Sequence, residues 1–249
     1  MRDIKLLVIN PNTEEKMTQQ IENQLRNICP QGVVLDVVSN VAGPTSIEGH
    51  TDEIVSAYHM LEIIAEKKDY YDGYLIACFS NHPSINMIRE LTGKSVVGIA
   101  EGACHFASLS GDSFAVVTTS PKWVPMLEEA IDIFGLSKKS KGVFTSGLSV
   151  EELHTLTPEK VMEEIINAGK IAIDKGSEVL ILGCAGMSGL KEKMEESLKV
   201  PVIDSCEAGF MMLYGMCQMG LNSSRVRMYA ENMPRKTVNL DDKIMSFYE

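Results

Sequence analysis

Two segments of the chain resemble each other, and each has a cysteine at the same place, directly after an apolar run. The first segment reads YLIAC and ends at Cys78, and the second reads LILGC and ends at Cys184. Cys78 precedes Glu101 by 23 positions, and Cys184 precedes Glu207 by the same 23 positions. This repeat predicts two similar halves, whose equivalent strand ends meet at one cleft.

The opening strand of each half repeats as well. Residues 8–13 read VINPNT and residues 116–121 read VVTTSP, an offset of 108 positions, against 106 positions for the two cysteines. Two separate pairs of matching positions therefore give nearly the same offset. If the halves face each other, the two thiols approach one cleft from opposite sides, an arrangement that suits moving a proton from one face of a carbon atom to the other.

Apolar runs alternate with segments of helical periodicity, which predicts an α/β fold with parallel, buried strands. Each half has four candidate strands, and we expect two similar domains, each a four-stranded parallel sheet flanked by helices and related by a pseudo-two-fold duplication. The candidate strands are 5–10, 33–39, 74–78, 96–99, 114–118, 142–145, 179–182 and 202–204. The candidate helices are 13–29, 52–67, 84–92, 121–134, 158–175 and 189–198. Pro121 and Pro158 each read as a first helical residue after a capping residue.

The domain boundaries follow from the repeat. Residues 206–219 are rich in methionine and other apolar residues and follow the last strand of the second half. We interpret this segment as carrying the chain back to the first half. The predicted first domain is therefore discontinuous, residues 1–98 plus 206–249, and the second domain covers residues 99–205.

Composition limits the classes of partner. The net charge of −11 and the pI near 5.0 argue against a nucleic acid or an anionic membrane as partner. Neither a signal peptide nor a membrane span is indicated. The six cysteines include no CxxC pair, which favours a reducing compartment over a disulfide framework or a zinc site. We expect a cytoplasmic protein that acts on a small molecule and assembles as a homo-oligomer.

Cys78 and Cys184 are the candidate reactive groups. Both are predicted to lie at the carboxyl ends of parallel strands, where ligands bind and where helix N-termini offer free N–H groups. The helix dipole should lower each thiol pKa and raise the thiolate fraction, so that either group could act as a base. The structural alternative is that both are small buried apolar residues, which is the usual role of a free cysteine.

Three further segments have two interpretations each. Residues 10–13, Asn-Pro-Asn-Thr, are either an ordinary turn with a helix cap or a polar wall of the cleft, and the hydroxyls of residues 118–120 lie at the equivalent edge. Residues 43–49 form a loop that either folds over a ligand or only links a strand to a helix. His82 either tunes the nearby Cys78 thiol or caps a helix, and we favour the cap.

No cofactor or metal is predicted. The five histidines show no metal-ligand spacing. Residues 92–95, TGKS, imitate the end of a phosphate-binding loop, but Ile88 stands where that motif needs glycine. No GxGxxG follows the first strand, so a nucleotide cofactor has no support.

Four ordered motifs carry a resemblance to a known family. They are INPNT at residues 9–13, GPTSIEG at 43–49, ACFS at 77–80 and LGCAGM at 182–187. Together they resemble the hydantoin and allantoin racemase branch of the aspartate/glutamate racemase superfamily, over residues 4–220. The resemblance implies a cofactor-independent enzyme with two similar α/β domains and an active site between them.

The resemblance also implies roles for individual residues. Cys78 and Cys184 match the family's two bases, one of which removes the proton as thiolate while the other, as thiol, delivers a proton to the opposite face. Backbone amides just after each cysteine, those of Phe79, Ser80 and Ala185, are expected to hold the enolate oxygen. The residues expected to bind substrate are Asn10, Pro11, Ser46, Ile47, Phe79, Ser80, Asn81, Thr118, Thr119 and Ala185.

The substrate expectation rests on departures from the amino-acid racemases of the superfamily. Those enzymes carry threonine near both cysteines, where this chain has Phe79 and Ala185 directly after them. A less charged, ring-like substrate fits better, so we expect a racemase of a 5-substituted hydantoin or of allantoin. The alternatives are an amino-acid racemase of the Asp/Glu type, a maleate-type isomerase, and a non-catalytic two-lobed protein that binds a small molecule.

Overall fold

Two parallel four-stranded sheets with the same strand order form the centre of the protein. The computed structural model describes residues 3–248. The first sheet has the order β2-β1-β3-β4 and the second has the order β6-β5-β7-β8. The strands are β1 Ile4–Asn10, β2 Val33–Ser39, β3 Gly73–Ile76, β4 Ser95–Gly98, β5 Phe114–Thr118, β6 Ser140–Thr145, β7 Val179–Leu182 and β8 Val202–Ile203. The predicted α/β fold class and its duplication are confirmed.

Helices cover both sheets. They are α1 Glu15–Ile28, α2 His50–Lys67, α3 Ser84–Thr92, α4 Ile99–Ser110, α5 Trp123–Ile133, α6 Glu152–Thr155, α7 Pro158–Asp174, α8 Lys191–Leu198, α9 Ser205–Gln218 and α10 Asp242–Met245. Two short 3-10 helices lie at Ala185–Met187 and Arg227–Tyr229. Within residues 3–248, none of the helices combines the length and the apolar character that crossing a bilayer requires.

The predicted elements differ from the observed ones chiefly at their ends. The third strand ends at Ile76, so Cys78 lies two residues beyond it. Pro121 is not the first helical residue, because the Ser120 carbonyl accepts from the Trp123 amide (3.1 Å) and closes a turn before α5. Pro158 does begin α7, with Thr157 as the cap.

Two helices that the periodicity did not identify join the halves. Helix α4 follows β4 and packs on β7 and β8 of the second sheet, whereas α9 follows β8 and packs on β3 and β4 of the first sheet. The two helices also pack on each other. The return of α9 to the first sheet agrees with a discontinuous first domain of residues 1–98 plus 206–249, and that boundary stays a prediction.

Glycines allow α4 and α9 to approach closely where they cross. A Cβ atom on Gly102 would lie 2.7 Å from the Gly209 Cα atom, and a Cβ atom on Gly209 would lie 3.0 Å from the Ile99 Cα atom. Both obstacles are backbone atoms, which cannot move without shifting a helix. The contact between the halves therefore depends on the absence of side chains at these two positions.

We predict that Gly102→Ala destabilises the protein by about 1–3 kcal/mol, because the added methyl group overpacks a backbone contact. The matched control is Gly215→Ala on α9, where a Cβ atom meets nothing within 4 Å among the described residues. That substitution should leave stability unchanged or raise it by up to about 1 kcal/mol through helix propensity. Urea denaturation midpoints measure both effects. Equal midpoints for the two variants would contradict the close-packed crossing.

Candidate functional site

The two cysteines of the repeat line one cavity between the sheets. Cys78 follows β3 and Cys184 follows β7, at the carboxyl edges of their sheets. The cavity has a volume of about 40 Å³. Its lining consists of Asn10, Pro11, Asn12, Met17, Ile47, Ala77, Cys78, Phe79, Thr119, Trp123, Val150, Gly183, Cys184 and Ala185. The duplicated strand ends thus place both thiols against one cavity.

Six of the ten residues predicted to bind substrate lie in this lining: Asn10, Pro11, Ile47, Phe79, Thr119 and Ala185. Ser46 lies in an adjoining cavity that shares Met17 and Val150 with the central one. Ser80 and Asn81 line a different cavity at the surface. Thr118 lies outside the lining of the central cavity, and its hydroxyl donates to the Gly183 carbonyl (3.0 Å). For all ten residues, binding itself stays a prediction.

The Asn-Pro-Asn-Thr segment forms a turn and also lines the cavity. Asn10 Nδ2 donates to Asn12 Oδ1 (2.7 Å) and to Thr18 Oγ1 (3.0 Å), and Asn12 Oδ1 also accepts from the Glu14 amide (3.0 Å). These bonds fix both asparagine side chains and begin α1. Asn10 and Asn12 are fully or almost fully buried, and both line the cavity.

The loop of residues 43–49 covers the cavity from the first half. The Thr13 amide donates to the Pro44 carbonyl (3.1 Å), and the Glu48 amide donates to Asp52 Oδ2 (2.8 Å), so the loop is tied at both ends. Ile47 between these ties is buried in the lining. Trp123 and Val150 face it from the second half. Whether the loop moves with ligand stays a prediction.

Cys184 lies at the start of the short 3-10 helix Ala185–Met187. The backbone N–H groups of Gly186 and Met187 lie near the thiol and favour its thiolate form, although the Met187 amide donates to the Cys184 carbonyl (3.0 Å). Burial has the larger and opposite effect, and it raises the pKa of Cys184 to about 11. The predicted lowering of this pKa is therefore wrong for the ligand-free protein, because two N–H groups do not offset the loss of water.

Cys78 is in a more negative environment. Burial raises the pKa of the Cys78 thiol, and the nearby Glu53 carboxylate raises it further. The Ser80 hydroxyl lies 3.6 Å from the Cys78 sulfur and partly opposes this rise. The prediction of a lowered pKa is wrong for this thiol too, and both thiols are protonated near neutral pH in the ligand-free protein.

The loop that carries Cys184 is held in place by a buried carboxylate. Asp204 Oδ1 accepts from the amides of Cys206 (3.0 Å) and Glu207 (3.1 Å), which caps α9, while Asp204 Oδ2 accepts from the Gly189 amide (3.2 Å). Gln20 on α1 adds a bond to the Ser188 carbonyl (2.9 Å). The second thiol is thereby fixed relative to α9 and to the first half.

His82 caps a helix. Its Nδ1 atom accepts from the Ser84 amide (3.3 Å) and lies 2.7 Å from the Ser84 hydroxyl, at the start of α3. Burial lowers the pKa of His82 to about 3, so its imidazole is neutral at neutral pH. The favoured interpretation of His82 as a capping residue agrees with these bonds.

Several lining residues were not identified from the sequence. Met17 is on the buried face of α1, and Trp123 begins α5, so their periodicity predicted only core packing. Val150 belongs to a loop without a recognisable motif. Asn12 was in a motif that the sequence analysis did identify, although it was not assigned to substrate. Apolar residues that line a cavity give the same sequence signal as core residues, because both are buried.

The electrostatics of the cavity are uniformly neutral or negative. Among residues 3–248, those that line it include no charged side chain. The Glu48 carboxylate raises the pKa of both cysteines, so its charge acts within the cavity, and Glu53 acts on Cys78. A ligand with a negative charge would therefore find repulsion and no cationic partner.

Comparison with known proteins identifies the family. The model of the Asp/Glu/Hydantoin racemase family matches residues 6–213. A hydantoin racemase of Pseudomonas sp. (strain NS671) is 34% identical over 228 residues, which cover 91% of each protein.

Two solved structures have the same fold over nearly the whole chain. Allantoin racemase from Klebsiella pneumoniae has a TM-score of 0.87 and 33% identity, and the match covers 98% of each chain. Allantoin racemase from Pseudomonas fluorescens has a TM-score of 0.90 and 30% identity, and the match covers 95% of this chain and 100% of that one. The chain is therefore an isomerase of the racemase class, and it belongs to the Asp/Glu/hydantoin racemase family.

Proposed function

We propose that this protein racemises a 5-substituted hydantoin, with allantoin as the favoured substrate, by proton transfer through Cys78 and Cys184 and without a cofactor. The observation that carries the proposal is the pair of thiols at equivalent strand ends of a duplicated fold, lining one cavity. The reaction needs one base and one acid on opposite faces of a carbon atom. A duplicated site supplies two groups of the same chemistry, so either can take either role.

The proposed step is balanced in protons. One cysteine, as thiolate, removes the proton from the ring carbon and becomes a thiol, and the electron pair moves to the adjacent carbonyl to give an enolate. The other cysteine, as thiol, protonates the opposite face and becomes a thiolate. We assign stabilisation of the enolate oxygen to the amides of Phe79 and Ala185, which line the cavity. The Ser80 amide, also expected in this role, donates instead to the Cys78 carbonyl (3.0 Å).

The neutral to negative cavity favours a neutral ring over an amino acid. No cationic side chain lines it, and the Glu48 charge acts inside it, so an Asp or Glu carboxylate would have no partner there. Removing a proton beside a hydantoin carbonyl also avoids placing a second negative charge on one group. A thiolate of modest basicity then suffices without a metal or pyridoxal phosphate.

The adjoining cavity suggests the character of the ring substituent. It has a volume of about 370 Å³ and shares Met17 and Val150 with the central cavity. The rest of its lining is largely polar: Glu14, Lys16, Thr45, Ser46, Glu151, His154 and Thr155. A ureido group, as in allantoin, could form hydrogen bonds here, whereas an aryl group could not. The central cavity of about 40 Å³ is smaller than the ~150 Å³ that holds benzene, so side chains of its lining must move when a substrate ring enters the cavity.

We expect Cys78→Ser and Cys184→Ser each to reduce racemisation by at least about 10²–10⁴-fold, because a serine hydroxyl is too weak an acid or base to replace a thiol. Circular dichroism of a single enantiomer measures the loss. Cys29→Ser, a partly exposed thiol outside the cavity lining, is the control and should react like the wild type. Full turnover in both site variants would exclude the two-thiol mechanism.

The substrate assignment has its own test. Single enantiomers of allantoin, 5-benzylhydantoin and aspartate are compared at equal concentration in deuterated water, with optical activity and deuterium incorporation followed together. We expect allantoin to have the highest kcat/KM and aspartate the lowest, because no cationic side chain lines the central cavity. Faster racemisation of aspartate than of both ring compounds would favour an amino-acid racemase. Binding without loss of optical activity and without deuterium exchange would indicate a non-catalytic binder.

The raised thiol pKa values predict that kcat/KM increases with pH. Activity needs one thiolate, and below the pKa of about 11 for Cys184 the thiolate fraction grows up to tenfold per pH unit. From pH 7 to pH 9 the rise should approach about 100-fold, after subtraction of the uncatalysed racemisation rate. A flat profile over this range would mean that a thiolate already forms near neutral pH.

A further inference from the structure

The duplication makes it possible to compare the surroundings of the two thiols position by position. With the 106-position offset of the cysteines, Ser80 corresponds to Gly186. Helices α2 and α7 correspond with an offset of 108, since buried residues 53, 57, 60 and 64 of α2 match buried residues 161, 165, 168 and 172 of α7. Glu53 therefore corresponds to Val161. The first half has a carboxyl and a hydroxyl group where the second half has an isopropyl group and a glycine.

Glu53 is an unusual residue for the buried face of a helix. It is only 5% exposed, and its Oε1 atom is buried without a hydrogen-bond partner in the described part of the chain. Its Oε2 atom lies 3.5 Å from Nδ1 of His50, an exposed residue. Burial raises the pKa of Glu53, and Asp52 adds to the rise, while Ser80 and His50 oppose it. A buried carboxyl oxygen without a hydrogen-bond partner lowers the stability of the fold, so we expect such a group to have a function.

Ser80 connects this carboxyl group to Cys78. Its hydroxyl donates to the Cys78 sulfur (3.6 Å). Ser80 also lowers the pKa of Glu53, so the two residues are neighbours. Ser80 and Glu53 both line a surface cavity of about 250 Å³, together with the exposed residues His50 and Glu129. The path from Cys78 through Ser80 to Glu53 thus leads away from the catalytic cavity to water on the other side.

The second thiol has a different neighbourhood. The groups that act on Cys184 are the amides of Gly186 and Met187, which stabilise its thiolate, and the Glu48 carboxylate, which opposes it. The charged or titratable groups that act on Cys78 are Glu53, Glu48 and Cys184, all of which disfavour a thiolate there. The same scaffold thus disfavours a thiolate less at Cys184 than at Cys78.

We propose that Glu53 is a positioning residue that keeps a proton on Cys78 and that Ser80 connects the two groups, so that Cys184 loses its proton first and acts as the base while Cys78 is the acid. The inference rests on the proposed racemase function. After Cys78 has given its proton to the substrate, Glu53 takes a proton from water in the surface cavity. Glu53 then passes that proton to the Ser80 oxygen while the Ser80 hydroxyl proton moves to the Cys78 thiolate. Cys184, which now holds the proton taken from the substrate, releases it to water. One proton therefore enters and one leaves, Glu53 is again a carboxylate and Cys184 again a thiolate.

Site-resolved alkylation tests this asymmetry without requiring turnover. The protein is treated with iodoacetamide at a series of pH values from 7 to 10, and peptide mass spectrometry follows the modification of Cys78 and Cys184 separately. In the wild type we expect Cys184 to react at least about tenfold faster than Cys78 throughout. Equal rates, or a faster Cys78, would overturn the proposal.

Two variants shift the Cys78 profile in opposite directions. Glu53→Gln removes the negative charge, so the Cys78 profile should move to lower pH, with about a tenfold faster reaction at pH 8. Ser80→Ala removes a thiolate-stabilising bond, so the Cys78 profile should move to higher pH. The Cys184 profile should change in neither. Glu129→Gln, which removes a charge from the same surface cavity that does not act on Cys78, should match the wild type. An unchanged Cys78 profile in Glu53→Gln, or faster Cys78 alkylation in both variants, would contradict the relay.

The pH profile of racemisation distinguishes a failure of the proton relay from a failure of the proposed racemase function. Activity ends at high pH when Cys78 also loses its proton. Glu53→Gln should therefore move the alkaline limb of the kcat/KM profile to lower pH. The shift should be the same for both enantiomers, since they have equal free energy. An active Glu53→Gln enzyme with an unmoved limb would contradict the relay alone. If no hydantoin is racemised at all while the alkylation asymmetry holds, the proposed function fails and the proton arrangement stands.

Discussion

The contact between helices α4 and α9 fixes the geometry of the whole protein. Each helix leaves the last strand of one sheet and packs on the other sheet, so the two halves are held by the elements that connect them. At the crossing, Gly102 and Gly209 bring the backbones together without side chains between them. This close approach joins the two halves whose strand ends line the cavity with both thiols.

Burial then determines the chemistry of the thiols. An enclosed cavity excludes water from the substrate and strengthens every polar interaction within it, but it also disfavours each thiolate. At Cys184 the backbone N–H groups of Gly186 and Met187 recover part of the cost, and at Cys78 the neighbouring Glu53 increases it. In the resting protein both thiols are therefore protonated near neutral pH, and one of them must lose its proton before it can act as a base on the substrate.

The fold was predictable because its signals are local and repeated. Buried parallel strands give short apolar runs, and the duplication supplied a second copy of each signal. Helix α4 was missed because Gly102, Ala103 and Cys104 pack against a neighbouring helix through small side chains, which gives no clear amphipathic period. The lining residues from distant elements, such as Trp123 and Val150, were not predictable, because nothing local distinguishes them from core residues. Glu53 was missed because a lone acidic residue in a helix reads as solvated.

The lowered thiol pKa was the one chemical expectation that failed, and the reason is instructive for the site. The sequence places each cysteine near N–H groups but does not reveal how completely water is excluded. Once the duplication is used as an internal comparison, the failure becomes informative. Positions equivalent by symmetry carry Ser80 and Glu53 in one half and Gly186 and Val161 in the other. The two enantiomers of a racemase substrate have equal free energy, so a difference between the thiols must come from the protein. The asymmetric pair around Cys78 is the candidate source of that difference, because Glu53 makes Cys78 hold its proton more strongly than Cys184 does.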